Sequence, residues 1–246
     1  MSPVYDCRDE SQLLSGMRHA RQAIGRGELV VLPTDTVYGI AADAFNARAV
    51  AGLLEAKGRG RQQPPPVLVP GVGTLRALVA DVPAAVDDLV HAFWPGGLTI
   101  VLPAQPSLSW DLGDTNGTVA VRMPAQNLTL ELLEETGPLA VSSANRTGMP
   151  AAVSIDEARD MLGDSVAAYL DAGPSESGFA STIVDATTLV GGAEPLVRVL
   201  REGTISRTRL REVLGDLLEP DPETDPAGAA LASDQATASD AEAPGP

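Results

Sequence analysis

The sequence predicts an α/β domain of the α+β type, a mixed twisted sheet with helices packed on it. Three observations carry this. Short apolar, β-branched runs alternate with stretches of helical periodicity along most of the chain. The last two runs, Thr182–Ala186 and Leu196–Arg201, have no helical pattern between them, only a loop with Gly191-Gly192. Such neighbours pair antiparallel and so mix the sheet. Finally, 246 residues of which 44% are apolar are enough for one sizeable core.

The elements follow in order. Leu13, Met17, Ala20 and Ile24 fall at helical spacing over residues 9–27, with Gly25 and Gly27 at the end. Cys7 precedes this helix in a start read as unstructured, and His19 lies on it as a solvated residue. Leu29–Leu32 is a buried strand that Pro33 ends, because proline gives the ladder no N–H. Thr34, Asp35, Thr36 and Tyr38 follow, and Gly39 allows a sharp turn or a close backbone approach. This stretch is either an ordinary turn or the carboxyl-edge site of an α/β sheet. Asn46 caps a helix through Lys57 that Gly58 ends. A short strand is expected at Val67–Val69, and helices at 74–80 and 83–93, with His91 structural among apolar neighbours. Trp94 is core, and a tight turn leads to the strand Leu98–Leu102. After a polar loop, Thr118–Arg122 is a strand, 128–136 a helix and Leu139–Val141 a strand. Ser154-Ile155-Asp156-Glu157 is a capping box that opens the helix 155–163. Ala167–Leu170 is a strand, and 206–218 is a last amphipathic helix with Leu210, Val213, Leu214 and Leu217 inward.

Composition excludes several classes. One cysteine allows no internal disulfide and no Cys-rich zinc site. No run approaches the roughly 18 apolar residues of a membrane helix, and the first residues lack a signal-peptide pattern, so a cytoplasmic protein is expected. The net charge is −16. Eight acidic and no basic residues lie in 216–246, leaving the rest at −8. An acidic body suits a nucleic-acid backbone poorly, and eight aromatic residues are too few for interleaved base stacking. Among the motifs there is no GxxxxGK[ST], no GxGxxG after a strand, and no metal-site spacing of carboxylates or histidines.

What remains is a set of hydroxyls, an amide and cations. Lys57-Gly-Arg59-Gly-Arg61 places three cations within five residues before a proline run. This is either a solvated linker or a loop folding its cations over a polyphosphate, Arg by bidentate contacts and Lys as a point charge. Arg122, ending an apolar strand, is either a surface residue or a clamp for a carboxylate or phosphate. Ser142-Ser143-Ala144-Asn145 is a capped turn or a pocket lining. Such groups suit phosphoryl or nucleotidyl transfer, where positioning and charge neutralisation dominate.

The ordered motifs carry a resemblance. PTDTVYGI from Pro33, Lys57-Gly58-Arg59, Trp94-Pro95-Gly96-Gly97-Leu98-Thr99 and Thr118-Val119-Ala120-Val121-Arg122 are four of them. Ser142–Asn145, Ser181-Thr182-Ile183-Val184-Asp185 and Leu200-Arg201-Glu202-Gly203 complete the set. Together they resemble the YrdC-like threonylcarbamoyl-AMP synthases of tRNA modification and span residues 29–203. The run Pro64-Pro65-Pro66 departs from the family form, which places a leucine after the first proline.

The resemblance implies a YrdC-like fold and a reaction of L-threonine, bicarbonate and ATP that gives threonylcarbamoyl-AMP and pyrophosphate. It implies that Lys57 and Arg59 are catalytic and bind the ATP phosphates, with Thr118, Ser143, Asn145 and Arg201 holding the nucleotide. Thr36, Arg122 and Ser181 would hold threonine, Arg122 at its carboxylate, and Thr34 and Tyr38 would line the same pocket. Mg²⁺ would bridge the phosphates with few protein ligands, and downstream tRNA threonylcarbamoyl-transferase proteins would take the product. Two other readings stand beside it: a double-stranded-RNA-binding module with weak RNA contact, and a carbamoyl-adenylate-forming enzyme with another acceptor. The expected layout is a catalytic domain over 1–218 and a disordered acidic tail over 219–246, too poor in apolar residues to offset its ordering entropy.

Overall fold

Local rules place each element. In the computed structural model, residues 2–175, 177–192 and 194–221 are described. In chain order they form β1 (Val4–Asp6), α1 (Glu10–Gly25), β2 (Val30–Leu32), β3 (Gly39–Asp43), α2 (Ala47–Lys57) and β4 (Val67–Leu68). Next come α3 (Val72–Leu78), α4 (Ala84–Phe93), β5 (Leu98–Pro103), β6 (Thr118–Arg122), α5 (Asn127–Thr136) and β7 (Leu139–Ser143). The chain continues with α6 (Ile155–Leu162), β8 (Ala168–Asp171), β9 (Thr182–Asp185), β10 (Arg198–Arg201) and α7 (Arg207–Leu214). All the helices except α3 and α4 start at side-chain caps that satisfy otherwise orphaned N–H groups. Asp9 accepts from Ser11 N, Asn46 from Ala49 N, Ser154 from Glu157 N and Ser206 from Arg209 N. Gly58, at φ 61°, ends α2 in the left-handed conformation that glycine adopts without penalty.

Among the described residues the strands join one sheet in the order β1-β8-β2-β3-β7-β4-β6-β5-β9-β10. It is mixed as expected, with β5 parallel to β9 and β9 antiparallel to β10. The two halves are packed differently. Around β2, β3 and β8, α2 and α6 cover one face while α1 and α5 cover the other. Around β5, β6 and β9, one face meets α3, α4 and α7 through Leu98, Ile100, Leu102, Val119, Val121 and Val184. Strand alternation turns Thr99, Val101, Thr118, Ala120, Arg122 and Ile183 to the opposite face. That face floors the cavity described below.

Several expectations are corrected. The start is not unstructured: Val4–Asp6 pairs parallel with β8, and Cys7 N donates to Asp171 O. Gly39 does not turn the chain. It opens β3, which returns antiparallel along β2, and its role is close approach, since a Cβ there would lie 2.6 Å from Val141 Cγ1. His91 is exposed rather than packed among apolar neighbours. His19 is half-buried, with its Nδ1 2.9 Å from the Tyr5 hydroxyl. The tail does not begin at residue 219. Glu219 N donates to Val197 O, Val199 N donates to Glu219 Oε1, and Arg207 pairs with the same carboxylate at 2.7 Å. The expectation for 222–246 lies outside the described residues. No helix among the described residues is long and apolar enough to cross a membrane.

Candidate active site

The loop that joins β2 to β3 is held by its own hydroxyls. Thr34 Oγ1 accepts from Thr36 N and Val37 N and donates to Val37 O, which closes a compact Ser/Thr turn. This presents Thr36, 1% exposed, to the end of β6. There Arg122 Nη1 donates to Thr36 Oγ1 at 2.9 Å, Nη2 to Asp35 Oδ1 at 2.6 Å and Nε to Gly96 O at 2.9 Å. Burial holds the Arg122 guanidinium below its usual pKa, and Asp35 opposes that shift. Arg122 is therefore no surface cation. It is a buried, oriented fork with two N–H groups still to give.

A second polar cluster forms where β9 begins. Ser181 Oγ lies 2.9 Å from Thr99 Oγ1, and Arg201 Nη2 donates to the same Ser181 Oγ at 3.1 Å. Arg201 Nε and Nη2 also donate to Ser181 O. A third cluster lies at the end of β7. Arg59 Nη1 donates to Ser142 Oγ at 3.1 Å, and Arg59 Nε is buried with no hydrogen-bond partner among the described residues. Neither Arg59 nor Arg201 has a carboxylate partner within ion-pair distance among the described residues. Burial lowers the pKa of both, and the Arg59 charge lowers that of Arg201 further.

These clusters surround one cavity of about 490 Å³, within the range of small-molecule sites. Thr34, Thr36, Tyr38, Arg59, Thr118, Arg122, Ser143, Asn145, Ser181 and Arg201 all line it. Besides Thr34, Tyr38 and Asn145 spend polar groups on the protein itself, and the Thr118 hydroxyl donates to Thr115 O. The Tyr38 hydroxyl donates to Gly173 O at 2.5 Å, away from the β2–β3 turn. Asn145 Nδ2 donates to Arg146 O and Met149 O, which fixes the turn after β7.

Lys57 departs most from expectation. It ends α2, as the predicted helix through Lys57 has it, but it does not reach over the cavity: it is 1% exposed and absent from the cavity lining. Its ammonium sits behind the wall, donating to Ser143 O, to Asn145 O at 2.5 Å and to Asn145 Oδ1 at 3.3 Å. Burial, and next the Arg59 charge, pull its pKa down to about 7. Arg61, the third cation of that stretch, points out of the cavity altogether.

Four contributors stood in the sequence motifs without an assigned binding role. Asp35 neutralises Arg122, Thr99 and Ser142 add hydroxyls, and Pro64–Pro66 form a wall. Asp35 was visible inside the PTDT stretch, but its partner lies 87 residues away. Among the described residues no group of three His, Cys, Asp or Glu side chains could hold a metal ion.

Arginines without carboxylates, a ring of hydroxyls and a buried ion pair at one end define an α/β domain whose cavity suits a small polyanion. The comparisons narrow this. The family model for Sua5/YciO/YrdC, described as telomere recombination, matches residues 22–203. The chain belongs to that family. It is 54% identical to a putative threonylcarbamoyl-AMP synthase of Mycobacterium tuberculosis over 215 residues, 87% of this chain and 96% of that one. It is 34% identical to the threonylcarbamoyl-AMP synthase of Bacillus subtilis over 200 residues, 80% of this chain and 56% of that one. The crystal structure of Pyrococcus abyssi Sua5 complexed with L-threonine superposes with a TM-score of 0.76 at 31% identity, covering 85% of this chain and 60% of that one.

Proposed function

We propose that this chain is a threonylcarbamoyl-AMP synthase, joining L-threonine, bicarbonate and ATP into threonylcarbamoyl-AMP with release of pyrophosphate and water. The observation that carries it is the pair Arg59 and Arg201. Both lack carboxylate partners among the described residues, and both line the same cavity as the Asp35-paired Arg122. Names borne by relatives at 54% and 34% identity favour this enzyme over an RNA-binding module. The solved Sua5 complex supports threonine as the amino acid.

The chemistry has two steps. The threonine amine takes up bicarbonate with loss of water, giving a carbamate. A carbamate oxygen then attacks the α-phosphorus of ATP, the bond to the β-phosphate oxygen breaks, and pyrophosphate leaves. Arg59 and Arg201 meet the phosphate charge, and the orphaned Arg59 Nε is a donor that a phosphate oxygen would satisfy. Thr118, Ser142 and Ser143 line the nucleotide's path. Lys57 braces that turn from behind through Ser143 and Asn145. At the other end, Thr36, Ser181 and the remaining Arg122 donors take threonine, with Arg122 at its carboxylate. Among the described residues no His, Cys, Asp and Glu cluster could hold a metal, so Mg²⁺ would be carried in by the ATP phosphates. The product is expected to pass to tRNA threonylcarbamoyl-transferase proteins.

Purified protein should release pyrophosphate from ATP only with threonine and bicarbonate together. Release that ignores bicarbonate, or equal rates with glycine, would overturn the assignment.

A further inference from the structure

Arg61 lies two residues from Arg59 yet does not line the cavity. Its Nη2 donates to Asp111 Oδ1 at 2.7 Å and its Nη1 to Asp111 Oδ2 at 3.1 Å. Its Nε reaches Asp114 Oδ1 at 3.4 Å, and its carbonyl accepts from Asp114 N at 2.8 Å. Gly113 sits at φ +108°, where a Cβ would lie 2.7 Å from Arg61 O, so glycine alone lets the two strands of chain close up. One residue before Asp111, Trp110 stacks on Phe45 with ring centroids 5.4 Å apart and an interplanar angle of 26°.

The two segments joined in this way are opposite lips of the cavity. One carries Arg59 and Pro64–Pro66, the other Leu112, Thr115 and Thr118. We propose that the Arg61–Asp111 fork, with Asp114 beside it, is a latch that holds these lips together and so positions Arg59 for the nucleotide phosphates. Arg61 is thus a positioning residue, not a phosphate ligand. The inference rests on the nucleotide reading above. Both side chains are about half exposed, 54% and 45%. An exposed pair shifts an equilibrium by up to about fivefold, and bidentate geometry places this one near that limit. The latch is thus weak enough to open for substrate entry.

Three readouts test it. Arg61→Ala and Asp111→Ala should each raise the KM for ATP and its calorimetric Kd by about three- to fivefold. They should leave the KM for threonine unchanged and kcat within about twofold, and the double variant should be no worse than either single one. Arg61→Lys should recover part of the loss. Acrylamide quenching of Trp110 should rise in both single variants, against a constant background from Trp94, which is 9% exposed. Additive effects at 61 and 111 would make Arg61 a direct phosphate ligand and overturn the latch, as would unchanged Trp110 quenching. If quenching couples the two positions while the parent enzyme releases no threonine-dependent pyrophosphate, the latch stands and the synthase reading falls.

Discussion

Arg122 and Lys57 are both buried cations, but their surroundings differ, and so do the consequences of disturbing them. Arg122 has a carboxylate at 2.6 Å, and its side chain is 7% exposed. Removing one partner of a buried pair costs about 3–5 kcal/mol because it strands the other charge. Asp35 keeps 19% exposure, so Asp35→Ala should sit near 3 kcal/mol in urea unfolding, and threonine should bind more weakly because the fork loses its orientation. A loss under 1 kcal/mol would show the pair to be dispensable. Lys57 has carbonyls only. Its pKa of about 7 lies below the ordinary 10.5, so between those values the unfolded chain binds more protons than the native one. Stability contributed at this site therefore rises with pH from about 7 toward 10.5 and is lowest below 7. Lys57→Met should be less stable throughout, since it orphans three acceptors, but should flatten that slope. Urea midpoints at pH 7 and 8.5 for both proteins check it; parallel slopes would remove Lys57 as the titrating group.

At the level of elements, two glycines set how closely strands and loops approach. At Gly39 an added Cβ meets the Val141 side chain, which can give way. At Gly203 it would meet backbone, the Ala180 carbonyl oxygen and Ser181 C at 2.7 Å, which cannot give way without moving Ser181 and so Arg201. Gly39→Ala should cost about 1–3 kcal/mol as overpacking does. Gly203→Ala should cost more and should also weaken ATP binding, measured by melting and calorimetry. Equal effects at the two sites would contradict this. Such contacts explain what was legible in the sequence. The helices were readable, because capping residues and 3.6-residue periodicity are local: Asn46, Gly58 and Ser154 sit where expected. The central strands and the antiparallel close of β9 and β10 were readable for the same reason. β1 was not, since three half-buried residues carry too short a pattern, and β3 was not, since Gly39 looked like punctuation. Ten of the eleven chosen pocket residues do line the cavity. Where each hydroxyl, amide or ammonium points was hidden, because the Tyr38, Asn145 and Lys57 partners are set by tertiary packing.

At the scale of the molecule, the first and last strands form the two edges of the sheet. Beyond the last helix, Glu219 ties the edge of β10 to α7 through Val197, Val199 and Arg207. Chains ending at Asp221 and at Leu218 both lack residues 222–246, so their difference isolates this clasp. The shorter should melt about 2–4 °C lower, the shift expected for about 1 kcal/mol in a domain of this size; identical melting would mean the clasp contributes nothing. At the other end, β2 finds its parallel neighbour in β8, pairing Val30 with Ala168, and β1 pairs Val4 with Tyr169. Synthesis runs in one direction, so Val30, Val31 and Leu32 leave the ribosome about 140 residues before the strand that shields one edge of β2 exists. At roughly 5–20 residues per second, that delay is about 7–28 s. Throughout it the edge of β2 that will meet β8 has no partner, so strand order alone sets how long this apolar segment is open to misassociation.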